Sequence, residues 1–351
     1  MRRKTRFACV SDTHAYAPAE AGFRLPVGDV LIHAGDLTNQ GRMDELRKTM
    51  DWIAEADFEV KIVICGNHDV SLDADFYSKY GLKFHDHRLE DPQKCIEVVA
   101  TASSSIVFLR HQSALVRLTR PNGPNTVFKV FGSPYSQSPG TWAFGYESAD
   151  APTLWSHIPL DADIVVTHTP PHSHCDSRAT GGPVGCKALR QALGQVRPSL
   201  AVCGHVHESR GYERVRWASR GSEEAQIVRG ALPPPGSKKQ SLVDLTGKKA
   251  QRLENDSHLL DDSPATLFPP AQNILILTDE LGEPHTPHST SYPSESRPDG
   301  YPNDPPNSRS HRQETCIVNA AILATSWPHR GGKRFNAPIV VDLELPTWQE
   351  K

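Results

Sequence analysis

No run of about eighteen apolar residues occurs anywhere in this 351-residue chain, which argues against a membrane-spanning helix. The basic start Met1 to Lys4 is followed only by the apolar stretch Phe7 to Val10 before Asp12. That is too short for a signal-peptide core, so a cytoplasmic protein is expected. A disulfide framework is also lacking. The seven cysteines are odd in number and irregularly spaced, and Cys9, Cys65 and Cys203 sit inside apolar runs, as buried reduced thiols do. Nor is there a charge excess: 38 Lys and Arg face 41 Asp and Glu, for a net charge of -3. A chain without a basic surplus is a poor match for an extended nucleic-acid partner. What is present is 37% hydrophobic content, enough for a sizeable core, together with 24 Gly and 29 Pro concentrated in one part of the chain.

Short apolar runs read as strands at Arg6 to Val10, Val30 to His33, Val60 to Cys65, Ile96 to Val99, Ser105 to Leu109, Val127 to Phe131, Ile164 to Thr167 and Leu200 to Cys203. Helical spacing fits Met43 to Ala56, with Leu46, Met50 and Ile53 on one face, and Cys186 to Leu193 ahead of Pro198. Strand, loop, helix, strand is the repeated order, which gives an α/β class. From 218 to 312 the pattern breaks into a Pro/Ser-rich insertion expected to be mostly disordered, ending in the run Glu283 to Ser310. Two islands within it, Ser241 to Leu245 and Asn273 to Leu277, are short enough to pair as edge strands or dock transiently. Thr315 to Leu323 and Ala337 to Leu345 read as strands that complete a sheet with Arg214 to Trp217. The expected organisation is therefore a domain over 1–217, the insertion over 218–312, and completing strands over 313–351.

Five strand-end segments concentrate metal-ligating residues: Asp12-Thr13-His14, Gly35-Asp36, Gly66-Asn67-His68-Asp69, Thr167-His168 and Gly204-His205-Val206-His207. In an open sheet, loops at the carboxyl ends of strands converge on one crevice, so the five can form one site. Residue type points the same way. Two divalent ions about 3.5 to 4 Å apart repel, and they need anionic ligands with a carboxylate between them, a part that suits Asp36. Neutral imidazoles and the Asn67 amide oxygen fill positions without excess negative charge. An N/O set without thiolate suits Mn, Fe, Zn, Mg or Co. The Asp12/His14 and His205/His207 pairs share a one-residue gap, and Gly35, Gly66 and Gly204 allow unusual dihedrals and close backbone approach beside the ligands.

The series Asp12-x-His14, Gly35-Asp36, Gly66-Asn67-His68-Asp69, His168 and Gly204-His205-x-His207 resembles the calcineurin-like metallophosphoesterase superfamily. Within it, Gly35 to Thr38, His168-Thr169-Pro170-Pro171 and Val318-Asn319-Ala320 resemble the metallophosphoesterase domain-containing protein subgroup. The resemblance covers about 6 to 217 and 313 to 351. It implies a β-sandwich of two mixed sheets flanked by helices, with a dinuclear metal site at the strand ends. Asp12, His14, Asp36 and His207 would hold one ion; Asp36, Asn67, His168 and His205 would hold the second. By the same resemblance His68 would face the phosphate, with Asp69 orienting its other ring nitrogen. The implied chemistry is hydrolysis of a phosphomonoester or phosphodiester by in-line attack of a hydroxide activated by two metals, on a small phosphate-ester substrate.

Other readings stay open on the residues alone. The same core serves nucleases and protein phosphatases, and a fold of this kind can act as a non-catalytic scaffold. His33 inside an apolar run reads as a core or supporting residue. His172, His174 and Arg178 are either substrate contacts or a solvated loop. Asn319 reads as a strand-end amide, and Lys238-Lys239 as loop solvation.

Overall fold

The computed structural model describes residues 1–137, 142–178, 181–218, 226–234, 236–253, 255, 272–277, 312–326 and 328–348. Strands and helices are numbered in chain order. The first sheet has six strands in the order β11 (Ser241–Asp244), β14 (Ile339–Pro346), β1 (Arg2–Val10), β2 (Val30–Ala34), β3 (Val60–Ile64) and β4 (Ile106–Phe108). The second has eight: β10 (Gln226–Arg229), β9 (Gly211–Arg216), β13 (Glu314–Asn319), β8 (Leu200–Cys203), β7 (Ile164–Thr167), β6 (Val127–Ser133), β5 (Gln112–Arg117) and β12 (Ile274–Leu277). Both are mixed. β1 to β4 run parallel, as do β6, β7, β8 and β13, while β14, β9, β10, β5 and β12 each pair antiparallel with a neighbour.

Alternation along the central strands explains why two sheets stack and helices cover them. Phe7 and Cys9, Val30 and Ile32, Ile62 and Ile64, Ile164 and Val166, Leu200 and Val202, Cys316 and Val318 all enter one buried cluster shared by the two sheets. The residues between them, such as Ala8, Leu31, Val63, Val165, Ala201 and Ile317, enter a second cluster with the helices. Strands apolar on both faces need a layer on each side, and they have one. That second cluster takes Leu46, Met50 and Ile53 of α2 (Met43–Glu55), Phe76 and Tyr77 of α3 (Ala74–His85), and Cys95 and Val99 of α4 (Pro92–Thr101). It also takes Ala21 of the short α1 (Pro18–Ala21), Leu154 and Trp155 of α5 (Ala151–Ser156), and Leu189 and Leu193 of α6 (Lys187–Val196). None of the helices is long and apolar enough to cross a membrane, among the described residues.

Two strand expectations are overturned: Ala337 to Leu345 forms β14 beside β1 and β11 in the first sheet and not in the sheet that holds β9, and a second run is helical. Ile96 to Val99 lies inside α4, where the Asp91 side chain accepts from the backbone N–H groups of Gln93 and Lys94 and Pro92 occupies the first turn. A four-residue apolar run carries no period of its own, and this cap decides the matter. Of the 218–312 segment, the described stretches contribute β10, β11 and β12, each at the edge of a sheet. The run Glu283 to Ser310 lies outside the described residues. β13 and β14, by contrast, are interior strands.

Candidate metal centre

Because β1, β2, β3, β7 and β8 all run in parallel ladders, their carboxyl ends lie on one edge of the two sheets. The loops that follow are then tied to each other. Asp12 N–H donates to the Gly35 carbonyl (2.9 Å), His14 N–H to the Asp36 carbonyl (3.1 Å) and Ala15 N–H to the Leu37 carbonyl (2.9 Å). Across to the other sheet, His168 Nδ1 donates to the Ala34 carbonyl at 2.9 Å. Asp12, His14, Asp36 and His205 hold φ values of 52°, 45°, 53° and 66°. Residues with a Cβ avoid this left-handed region unless the surroundings over-determine it. Here four of the seven expected ligands occupy it.

The structure brings all seven together around one carboxylate. Ligand atoms of Asp12, His14, Asp36 and His207 all lie within 4.8 Å of one another. His14 Nε2 is 3.2 Å from His207 Nε2 and 3.7 Å from Asp36 Oδ2, and His207 Nε2 is 3.2 Å from Asp12 Oδ1. On the other side, His168 Nε2 is 3.3 Å from Asp36 Oδ1 and 2.9 Å from Asn67 Oδ1, which is itself 2.8 Å from His205 Nδ1. The two oxygens of Asp36 therefore face two separate donor groups.

These contacts fit a cation. His168 and His207 each commit their Nδ1 proton to a carbonyl, of Ala34 and of Thr325 (3.0 Å), so the Nε2 of each neutral ring is a lone pair. Those lone pairs point at the acceptor oxygens of Asn67 and Asp36, and of Asp12. Acceptor against acceptor is stable only with a proton or a metal ion between them. No thiolate joins the set: burial pushes the Cys9, Cys65 and Cys203 thiols up. The donor set is that of a hard or borderline divalent ion.

The electrostatics show the same demand for positive charge. Burial works against the charge on Asp12, but His207 and His168 hold its pKa down to about 2. Asp36 is likewise held well below the carboxylate range by His168, His68 and His14 despite its burial. Burial drops His14 and His205 to about 3, whereas His168, also buried, is lifted to about 9 by Asp36. The Asp36 field that favours a proton on His168 favours a cation at the same place.

Two glycines make this crowding possible. A Cβ on Gly66 would lie 2.3 Å from Asp36 Oδ1, and one on Gly204 would lie 2.2 Å from Asp12 Oδ2. The close approach is to the ligand side chains themselves.

His68 sits on the rim, half-buried, with its N–H donating to Asp36 Oδ1 at 2.9 Å and its ring 4.7 Å from that of His14. Its expected ring partner was Asp69, and the geometry corrects this. Nδ1 of His68 donates to the Asn39 carbonyl at 2.7 Å. Asp69 instead accepts from the N–H groups of Leu37 (3.2 Å), Thr38 (2.8 Å) and Gly66 (2.8 Å) and from the Thr38 hydroxyl (2.7 Å). It ties the β2 loop to the β3 loop. Burial and the facing Asp36 charge push Asp69 up to about 6 against those four donors.

Several contributors carried no signal in the sequence. Trp142 lies against the His68 ring at 4.1 Å and 31°, and the carbonyls of Asn39, Ala34 and Thr325 orient three imidazoles. A carbonyl has no side-chain identity to read. Asn319 is a strand-end amide that holds a loop in place. Its Nδ2 donates to the carbonyls of Val206 (2.9 Å), Cys175 (3.1 Å) and Gly204 (3.4 Å), fixing the peptides on either side of His205. His33 is buried and shares a hydrogen bond with Thr13 Oγ1 at 2.8 Å, in a supporting position. His174 is buried against Glu213 at 2.9 Å and His172 pairs with Ser173, while Arg178 is exposed. All seven cysteines are free.

Comparison with known proteins agrees with this geometry. The calcineurin-like phosphoesterase family matches residues 5–209. Among similar proteins, probable rhamnogalacturonate lyase C of Emericella nidulans is 41% identical over 224 residues, which is 62% of this chain and 19% of that protein. Metallophosphoesterase domain-containing protein 1 of Homo sapiens and of Mus musculus is 33% identical over 213 residues, 59% of this chain and 62% of the relative. The chain thus spans a fifth of the first relative and less than two thirds of the others. The family match takes in every strand end from Asp12 to His207, so this chain belongs to the calcineurin-like phosphoesterases.

Proposed function

We propose that this chain hydrolyses small phosphate esters at a centre that takes two divalent ions. Asp12, His14, Asp36 and His207 would hold one, and Asp36, Asn67, His168 and His205 the other. The observation that carries the reading is the placement of Asp36, whose two oxygens face His14 Nε2 and His168 Nε2 in two separate groups of acceptor atoms, an arrangement that a cation in each group would reconcile. Bound there, divalent ions supply Lewis acidity toward a phosphoryl oxygen and lower the pKa of water.

The remaining work falls to the chain. The Asn39 carbonyl fixes the His68 ring by accepting from its Nδ1–H, so the imidazolium form carries its second proton on Nε2 and gives that proton to the departing oxygen or steadies charge on the phosphoryl group. Trp142 and His14 pack against that ring on two sides and limit its swing. Asp69 keeps the two loops that carry Asp36 and His68 in register.

The test is hydrolysis of bis-p-nitrophenyl phosphate and p-nitrophenyl phosphate by purified protein supplied with Mn, with metal content measured alongside. Asp36→Asn is expected to lose activity and metal together, and His68→Ala to lose activity while keeping its metal. The ratio of rates on the two esters separates diesterase from monoesterase. Two bound ions per chain with no turnover of either ester under Mn, Fe, Zn, Mg or Co would reject the proposal.

A further inference from the structure

After β13 the chain zips along the end of β1, with Ile322 N–H donating to the Ser11 carbonyl (2.8 Å) and Leu323 N–H to the Asp12 carbonyl (3.3 Å). It then turns back as a hairpin closed by the Leu323 and Phe335 bridge and by Ala324 N–H donating to the Arg334 carbonyl (2.7 Å). This segment lies outside the 5–209 family match. It carries His329-Arg330-Gly331-Gly332-Lys333-Arg334, four basic side chains around a glycine pair.

Two chains of contact place the hairpin at the metal centre. From one ligand, His207 Nδ1 donates to the Thr325 carbonyl, and Thr325 Oγ1 is 3.0 Å from His329 Nδ1. From another, Tyr16 stands two residues past His14, and its hydroxyl accepts from Lys333 Nζ at 3.1 Å. Tyr16 also packs on Phe335 at 4.8 Å, and Lys238, drawn in from the 218–312 segment, lies over the Phe335 ring at 5.9 Å. His329 is half-buried, while Arg330, Lys333 and Arg334 are exposed. A Cβ at Gly331 or Gly332 would meet nothing within 4 Å, so the tip stands clear of the body of the protein.

Cations held beside a site that handles an anionic phosphoryl group have one obvious electrostatic use. From this placement we infer that the hairpin is an anion subsite, selecting phosphate esters that carry a second phosphate. The inference rests on the phosphoesterase reading for the role of the first phosphate. Arg330, Lys333 and Arg334 bind the second phosphate through charge-assisted hydrogen bonds, and Tyr16 positions Lys333 toward it.

The experiment is calorimetric binding of adenosine 5′-monophosphate and adenosine 3′,5′-bisphosphate to Mn-supplied His68→Ala protein. A second preparation adds Arg330→Ala, Lys333→Ala and Arg334→Ala. The bisphosphate is expected to bind at least about tenfold more tightly than the monophosphate at low salt, as one charge-assisted contact supplies. That ratio should fall to near one in the triple variant, and also in wild-type hairpin protein at about 0.5 M salt, where exposed charges are screened. A ratio near one with the hairpin intact overturns the subsite, and a tenfold ratio that survives the triple substitution overturns its assignment to these residues. Turnover of bis-p-nitrophenyl phosphate by native protein is scored separately. Turnover with a ratio of one leaves the phosphoesterase reading standing without the subsite; a tenfold ratio without turnover does the reverse.

Discussion

The two donor groups that share Asp36 are joined in different ways. Asp12, His14 and His207 meet Asp36 through carboxylate and imidazole contacts, and the His207 side chain is 12% exposed. His168 and His205 meet through a single neutral amide oxygen, Asn67 Oδ1, and the His168 side chain is fully buried. One group attracts an ion by charge and opens toward the basic hairpin. The other would offer an ion less charge and a preset geometry, with His205 half-buried as His207 is, so it depends on each donor being in place. On the two-ion proposal, the contrast means that the two ions would be held unequally.

The most severe way to break the comparison is Asp36→Asn, which removes the one residue common to both groups. Both ions are expected to be lost, with a fall in kcat/KM of about a thousandfold or more, read by metal analysis and ester hydrolysis. A variant that kept one ion would show the groups to be independent. Next, Asn67→Ala should empty only the group it joins to His168 and His205, leaving about one ion per chain and activity down by about a hundredfold. Loss of both ions there would make Asn67 the keystone in place of Asp36. Chelation of the native protein sharpens the contrast further: metal release is expected in two phases, with the ion beside Asn67, which faces one carboxylate where the other faces two, leaving at least about tenfold faster. A single phase would mean that the two groups open together. Smallest is Asn319→Ala, which removes the side-chain donor to the carbonyls of Cys175, Gly204 and Val206 without touching a ligand, while Gly204 and Val206 keep the backbone donors Val206 N–H and Ser209 N–H. It should lower stability by about 1–3 kcal/mol, seen in denaturant unfolding, with a modest loss from both groups.

Much of the site was readable because a metal site restricts residue type. Asp12, His14, Asp36, Asn67, His168, His205 and His207 are all chemically committed side chains at the ends of apolar runs; Asp12, His14, Asp36 and His207 gather in one cluster with His168, Asn67 and His205 beside it, and their holding metal is the proposal made above. The His68 and Asp69 pairing failed for a different reason. Adjacency in sequence suggested a partnership, but the β3 loop turns Asp69 inward onto backbone N–H groups while His68 faces the rim, and a carbonyl from another loop takes the ring nitrogen. Backbone partners are set by the path of the chain, which no single residue announces. The fold was legible wherever alternation had room to show. β1, β2, β3, β7 and β8 were read within a residue or so, except at the start of β1, where the polar Arg2 to Thr5 pair with β14 but carry no apolar pattern. The antiparallel β5 and β10 and the helices α3 and α5 were missed, since their apolar faces are short or broken by Tyr, Lys and Gln. The hairpin at 324–335 escaped notice because its meaning depends on Thr325 and Tyr16 meeting the centre from strands far apart in the chain.

The strand order has a consequence for how the molecule is made. β1 pairs residue for residue with β14, Arg2 opposite Pro346 and Cys9 opposite Ile339, and β13 stands between β8 and β9 in the other sheet. Neither sheet is whole until the stretch after residue 312 has emerged from the ribosome. Until then the earliest strand of the chain exposes an unpaired edge, and contacts of such long sequence separation form slowly. Chains cut short before residue 339 would keep every motif of the metal centre up to His207 and still present that open edge to one another.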